Sequence, residues 1–122
     1  MNLGQLEALL LGVVRKQGKA SAREVLNYVE PGRKIPYTSV NSALTRLYKK
    51  GLLMREAKKG RGRKKFIYIV AKNQELQKRI VDRFLTKLVN AFGPAVISSI
   101  NEKLNEFELY SELDNPWLGK QS

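Results

Sequence analysis

The sequence of 122 residues contains no cysteine and no histidine, and each absence excludes a class of function. Without cysteine the chain has no disulfide, no thiolate zinc site and no thiol nucleophile. Without histidine it lacks the commonest general base and metal ligand. Aspartate is scarce as well, since Asp82 and Asp114 are the only two. The sequence shows no acid-base pair, metal cluster or phosphate-cradling loop, so we predict a protein that is not an enzyme and has no cofactor and no metal.

Long hydrophobic runs are also missing. The longest apolar stretch near the N-terminus, residues 9–14, is far shorter than the roughly 20 residues of a membrane-spanning helix. It also lacks the basic segment and cleavage site of an export signal. Hydrophobic residues still make up 43% of the chain, which is enough for folding. We therefore expect a soluble, cytoplasmic protein with no membrane partner, built as one compact domain or a small domain with an appendage.

Positive charge dominates the first part of the chain. Residues 1–72 carry 17 basic and 4 acidic side chains, whereas residues 73–122 carry 6 basic and 7 acidic ones. The net charge of +12 therefore belongs entirely to the first part. A lysine-rich surface that serves only solubility is the alternative, but such a surface scatters its charge. The segregation favours a polyanionic partner, and double-stranded DNA is the leading candidate.

Three helices are predicted in the first 50 residues. Leucines and valines recur at three- and four-residue steps in a first helix that ends near Gly18. Ser21 and Glu24 form a capping box for a short second helix that ends at about Val29. A third helix is predicted over residues 36–50, with its apolar side facing the core.

The outer face of the third helix is polar, short-chained and almost free of acid. Short amide and hydroxyl side chains allow a helix to approach base edges closely, and asparagine can bind adenine through two hydrogen bonds. The alternative is an ordinary solvent-facing side, which more often carries paired glutamate and lysine. At about 100° per residue, one arc contains Thr38, Asn41, Ser42, Thr45 and Lys49.

Two β-rich runs, separated by a glycine-containing loop, follow the third helix and predict a hairpin. The order of three helices and a hairpin is that of a winged-helix domain. A basic tip suits phosphates or the narrow minor groove, although lysines also protect exposed strand edges from aggregation. The tip residues that we predict to contact phosphates or the minor groove are Lys58, Lys59, Arg61, Arg63, Lys64 and Lys65.

Two amphipathic helices are predicted after the hairpin, over residues 73–92 and 94–107, while residues 109–122 could be a docked end or a frayed tail. Their apolar stripes exceed what two helices can bury against each other, so we predict a homodimer; packing back on the hairpin is the alternative. The predicted fold is mostly α with a small β-hairpin, a winged helix-turn-helix domain at 1–72 and a helical dimerisation region at 73–122. The predicted dimerisation residues are Leu76, Ile80, Phe84, Leu85, Leu88, Phe92, Ile97, Ile100 and Leu104.

Four segments resemble the winged-helix repressors of penicillinase and methicillin-resistance genes and their copper-responsive relatives: residues 3–7, 20–26, 37–40 and 45–52. The resemblance implies a homodimeric transcriptional repressor that binds a palindromic operator through its third helix. It places Thr38, Ser39, Asn41 and Ser42 at the base-reading start of that helix. We expect the side chains at its two ends to contact phosphates, namely Tyr37, Arg46, Lys49 and Lys50.

The chain departs from the resembled repressors at three places. Arg15 stands where tryptophan is common, and the wing is longer and more basic than usual. Ser98 and Ser99 occupy the position at which the penicillinase repressors carry a cleavable Asn-Phe bond. The absence of cysteine excludes copper sensing by C-terminal thiols.

Two other classes of function fit parts of the sequence. An architectural chromatin protein would coat DNA without sequence preference, and it would share the basic charge and the wing. A winged helix that binds protein within a transcription assembly would leave the third helix free of DNA. The uncharged outer face of that helix favours a sequence-specific regulator, and no small-molecule ligand is identifiable from the sequence.

Overall fold

The structure, a computed structural model, describes residues 3–60 and 64–114. Within these residues the chain forms five helices and a three-stranded antiparallel sheet. The predicted fold class, mostly α with a small β-hairpin in a winged helix-turn-helix, is confirmed. The elements in chain order are α1 Gln5–Gln17, β1 Lys19–Ser21, α2 Ala22–Val29, α3 Tyr37–Lys50, β2 Leu53–Lys59, β3 Lys64–Val70, α4 Gln74–Phe92 and α5 Val96–Asp114.

The predicted capping box at the start of α2 is present. The Glu24 N–H donates to Ser21 Oγ at 3.2 Å, and the Ser21 N–H donates to Glu24 Oε1 at 3.0 Å. The hydrogen bond from the Ser21 backbone lowers the pKa of Glu24 most, followed by the Ser21 side chain and the charges of Lys65 and Lys58. The carboxylate of Glu24 therefore stays ionised while it caps the helix.

The short strand β1 is an element that the sequence did not predict. Its three residues pair with β3, so that Ala20 lies opposite Tyr68 and the strand order is β1-β3-β2. Three residues are too few to show the alternation by which strands are recognised. Ala20 and Ser21 are both buried, so this strand closes the core between α1 and the hairpin.

The core of the first part of the chain is built from the apolar sides of α1, α2 and α3. The inner positions of α3, Val40, Ala43, Leu44 and Leu47, are fully buried, as predicted. Burying one such leucine contributes about 1.5–3 kcal/mol relative to leaving it in water. Beside them lie Leu10, Val13, Val14, Val25, Leu26, Val29, Leu52, Leu53, Tyr68 and Leu76.

Helix α4 begins in one compact unit and ends in another. The contacts divide the chain into Met1–Val81 and Asp82–Ser122. Asn73 caps the helix as predicted, because its Oδ1 accepts the Leu76 N–H at 3.2 Å. Leu76 is buried in the core of the first unit, which is why this unit extends beyond Lys72.

Helix α5 is longer than the sequence analysis predicted. It runs to Asp114 rather than ending near Phe107. The segment after Phe107 contains neither glycine nor proline until Pro116, so nothing in it stops a helix. Of the predicted tail, residues 115–122 lie outside the described part of the chain.

Candidate nucleic-acid interface

The outer face of α3 carries the residues that were predicted to read bases. Thr38, Asn41 and Ser42 are exposed, whereas Ser39 and Thr45 are partly buried. The first turn of the helix contains no acidic residue. With its apolar side in the core, α3 therefore presents amides, hydroxyls and no carboxylate to an approaching ligand.

Two grooves flank α3 and divide these polar residues between them. A groove of about 420 Å³ lies toward the hairpin and contains Asn41 and Thr45, with Tyr37, Arg23, Lys65 and Phe66 among its other residues. A shallower groove of about 260 Å³ lies toward α1; it is lined by Leu6, Thr38, Ser39, Ser42 and Arg46. The structure therefore brings Asn41 and Thr45 to the hairpin side and the other three to the α1 side.

The hydroxyl of Thr45 is already used within the helix. Thr45 Oγ1 donates to the backbone oxygen of Asn41 at 2.8 Å. This bond occupies its only proton and leaves the methyl group and a lone pair for a ligand. Thr45 can therefore contact a thymine methyl or accept a hydrogen bond, but it cannot donate one without breaking the helical bond.

Arg23 at the start of α2 belongs to the same surface, and the sequence analysis did not single it out. Its guanidinium carbon lies 4.6 Å from the centre of the Tyr37 ring. Such a cation–π contact fixes the position of Tyr37, the first residue of α3. The two residues are far apart in the sequence, so no local pattern could have revealed the contact.

The C-terminal end of α3 is tied to α1 by Glu7, another residue that the sequence analysis missed. Glu7 is only 6% exposed, and its two carboxylate oxygens accept from Lys50 Nζ at 2.8 and 2.6 Å. Oε1 also accepts the Gly4 N–H at 3.0 Å. Burial raises the pKa of Glu7, but these hydrogen bonds and the charges of Lys50 and Arg46 outweigh it and leave the pKa below its usual value.

This ion pair affects two of the predicted phosphate contacts differently. Lys50 is engaged with Glu7, so we do not include it among the proposed phosphate contacts. Arg46 Nε lies 3.9 Å from Glu7 Oε2, yet the Arg46 side chain remains 53% exposed. Lys49, the residue before Lys50, is exposed on the outer side of the helix.

The hairpin gathers lysines in directly opposed pairs. Lys58 pairs with Lys65 across the two strands, and Lys59 pairs with Lys64. Like charges in register destabilise a sheet, so this arrangement indicates an anionic partner. The side chains of Lys58, Lys59 and Lys65 are exposed. Arg61, Arg63 and the side chain of Lys64 lie outside the described residues.

Arg55 connects the hairpin to α3, and the sequence analysis did not identify it. Its guanidinium carbon lies 4.0 Å from the centre of the Tyr48 ring and 4.0 Å from the centre of the Phe66 ring. Tyr48 belongs to α3 and Phe66 to β3, so the guanidinium contacts both elements.

The predicted dimerisation residues fall into two groups. Leu76 is buried in the core of the first unit, so it is not available to a second copy, whereas Ile80 packs against that core and is only partly buried. Phe84, Phe92, Ile97 and Leu104 are 48–72% exposed. The remaining three are partly buried: Leu85, Leu88 and Ile100.

Together, the winged-helix fold, the carboxylate-free face of α3 and the basic hairpin define a DNA-binding transcriptional regulator. None of the helices formed by residues 3–60 and 64–114 has the length and apolar character needed to cross a membrane. The chain belongs to the penicillinase repressor family, whose sequence model matches residues 3–114. The resemblance identified in the sequence is therefore confirmed.

Solved structures share the fold at low sequence identity. PadR from Bacillus subtilis, in complex with operator DNA, is 14% identical over 93% of this chain and 79% of its own, with a TM-score of 0.52. A PadR family regulator from Clostridium difficile is 18% identical over 73% of this chain and 98% of its own, with a TM-score of 0.50. The archaeal chromatin protein TrmBL2 is 16% identical over 93% of this chain and 38% of its own, also at 0.50. No curated protein sequence matches this chain significantly.

Proposed function

We propose that the protein is a homodimeric repressor that binds a palindromic operator with α3 in the major groove. The observation that carries this proposal is the outer face of α3, which is polar and exposed and has no acid in its first turn. Such a face can approach base edges, whereas a phosphate-binding surface needs only positive charge. The residues that we propose to read bases are Thr38, Ser39, Asn41, Ser42 and Thr45.

We propose that phosphate contacts supply most of the affinity. Arg46 and Lys49 are exposed on α3, and Lys65 of the hairpin lines the same groove as Asn41 and Thr45. Each phosphate that a cation neutralises releases counterions and adds to the salt dependence of binding. The proposed set is Tyr37, Arg46, Lys49, Lys58, Lys59, Lys64 and Lys65, with Arg61 and Arg63 added from the sequence alone.

We propose that the exposed apolar residues of α4 and α5 bury one another in a homodimer. Phe84, Phe92, Ile97 and Leu104 are large apolar residues that stay 48–72% exposed in the single chain, and exposed apolar surface of this kind favours association. A two-fold dimer binds half-sites about 10 base pairs apart or a multiple of that, since successive major grooves recur once per turn. In functional terms, residues 1–72 would bind DNA and residues 73–122 would form the dimer.

Selection of bound sequences from a random duplex pool tests the reading of bases. We expect enrichment of a palindrome whose half-sites have the spacing given above. Recovery of unenriched sequences with strong binding would overturn the repressor and favour a chromatin-coating protein. Absence of binding at physiological salt would overturn both and favour a protein-binding winged helix.

A further inference from the structure

Arg55 is the one guanidinium in the described residues that lies over two aromatic rings. The distances from its guanidinium carbon to the Tyr48 and Phe66 ring centres are both 4.0 Å. Two rings this close to the guanidinium carbon shield much of the group from water, and its N–H donors point outward from that carbon toward a hydrogen-bonding partner. The side chain is partly buried, so these donors are held in a defined place rather than moving freely in solvent.

No carboxylate in the described residues neutralises this guanidinium. Among the side chains that the structure describes, those of residues 3–60 and 65–108, the ion pairs join Glu7 to Arg46, Glu7 to Lys50 and Lys103 to Glu106. Glu56 is adjacent in β2, but strand alternation sends its side chain to the opposite face. Arg55 lies opposite Tyr68 on the side of the sheet toward α3, whereas Glu56 lies opposite Ile67.

The surroundings of Arg55 favour an anion that offers two acceptor oxygens side by side, as a phosphate does. Arg55 joins α3, which carries exposed Lys49, to a hairpin whose lysines face one another across the strands. Positive potential at this junction favours an anion, and a guanidinium edge binds two oxygens of one phosphate through parallel hydrogen bonds. A fixed guanidinium loses little conformational freedom when it binds such a group.

We propose that Arg55 binds a phosphate of the DNA backbone through its guanidinium N–H groups while the Tyr48 and Phe66 rings hold the guanidinium in place. This proposal rests on the proposed function and adds a contact at the junction of the recognition helix and the hairpin. Arg55 would fix the register of the hairpin relative to α3 on the duplex, because a phosphate contact positions a protein without reading sequence.

The test compares three purified full-length variants with the wild type on one labelled duplex of random sequence. Arg55→Gln removes the charge, Arg55→Lys retains it without the planar edge, and Arg15→Gln removes an exposed charge on α1 that lines neither groove. Fluorescence anisotropy gives the dissociation constant at a series of salt concentrations. Circular dichroism confirms that each variant is folded at the temperature used.

For Arg55→Gln we expect binding about tenfold weaker and a salt slope shallower by about 0.9 per bound protomer, the value for one lost phosphate contact. Arg55→Lys should keep the slope but bind several-fold more weakly, because an ammonium cannot form the paired bonds. Arg15→Gln should match the wild type in affinity and slope.

Three results would overturn the proposal. An unchanged slope in Arg55→Gln would mean that Arg55 only joins the hairpin to α3. Wild-type affinity in Arg55→Lys would contradict paired hydrogen bonds from the guanidinium to one phosphate. If Arg55→Gln does not fold, the affinity of Arg55→Lys alone tests the proposal. If the wild type itself does not bind duplex at low salt, the proposed function fails together with this inference; in the first two cases the proposed function stands.

Discussion

The side-chain amide of Asn41 can both donate to and accept from adenine, whereas the neighbouring hydroxyls offer single bonds. We predict that Asn41→Ala costs about 1–3 kcal/mol on the selected duplex and much less on a scrambled one. Anisotropy titrations on both duplexes measure the difference. Lys65→Gln is the control, because loss of a phosphate contact should weaken the two complexes alike. Equal losses on both duplexes for Asn41→Ala would remove Asn41 from the base-reading set.

Glu7 gives a prediction about stability and its pH dependence. We predict that Glu7→Gln lowers the free energy of unfolding by about 1–3 kcal/mol at pH 7, because a neutral amide accepts weaker hydrogen bonds from Lys50 than the carboxylate does. The folded-state pKa of Glu7 is lowered, so its stabilisation is complete above the unfolded pKa of about 4.3 and is lost as the pH falls through the folded value.

Urea denaturation at pH 7 and at pH 3 measures this effect. The difference between wild type and Glu7→Gln should shrink at the lower pH. Glu30→Gln, an exposed carboxylate at the end of α2, is the matched control and should change little at either pH. A difference that stayed constant with pH would show that the charge of Glu7 does not stabilise the fold.

Residues whose role depends on local periodicity were predictable, and residues whose partners are distant were not. The outer and inner faces of α3 follow from its own sequence, because a helix repeats every 3.6 residues. The contact between Glu7 and Lys50 joins residues 43 positions apart. The contacts of Arg23 with Tyr37 and of Arg55 with two rings likewise depend on tertiary packing, which no single-sequence pattern encodes.

At the scale of elements, Ser21 has two roles in adjoining structures. It ends β1, and its side chain caps α2 while being only 2% exposed. We predict that Ser21→Ala lowers the free energy of unfolding by about 1–2 kcal/mol, because the Glu24 N–H loses its acceptor. Chemical denaturation followed by circular dichroism measures the loss. Ser21→Thr retains the oxygen and should be affected less, so equal losses for the two variants would point to packing rather than capping.

The elements that the sequence predicted well have explicit end signals. Gly18, with a φ of 82°, caps the C-terminal end of α1, and Gly51, with a φ of 88°, caps that of α3. Positive φ is accessible to glycine without the strain that other residues incur. The two errors occurred where such signals are missing: β1 has only three residues, and α5 continues because no breaker precedes Pro116.

At the scale of the whole molecule, the exposed apolar residues of α4 and α5 determine the oligomeric state that we propose. We predict that Phe92→Glu converts a dimer into a monomer and weakens operator binding, because a charge cannot be buried in the apolar contact. Sedimentation velocity measures the oligomeric state. Asn90→Glu places the same charge on the opposite side of α4 and should remain dimeric. A wild-type protein that sediments as a 13.9 kDa monomer at micromolar concentration would contradict the proposal.

The opposed lysine pairs of the hairpin give salt two effects of opposite sign. In the free protein, the ammonium groups of Lys58 and Lys65 repel each other across the strands, so added sodium chloride should screen the repulsion and raise the melting temperature. In the complex, the same ions compete for the phosphates and weaken binding. We predict that, as the salt concentration rises, the melting temperature of the free protein increases while its affinity for duplex decreases. The ionic strength that maximises the stability of the free protein is therefore different from the one that maximises its affinity for DNA.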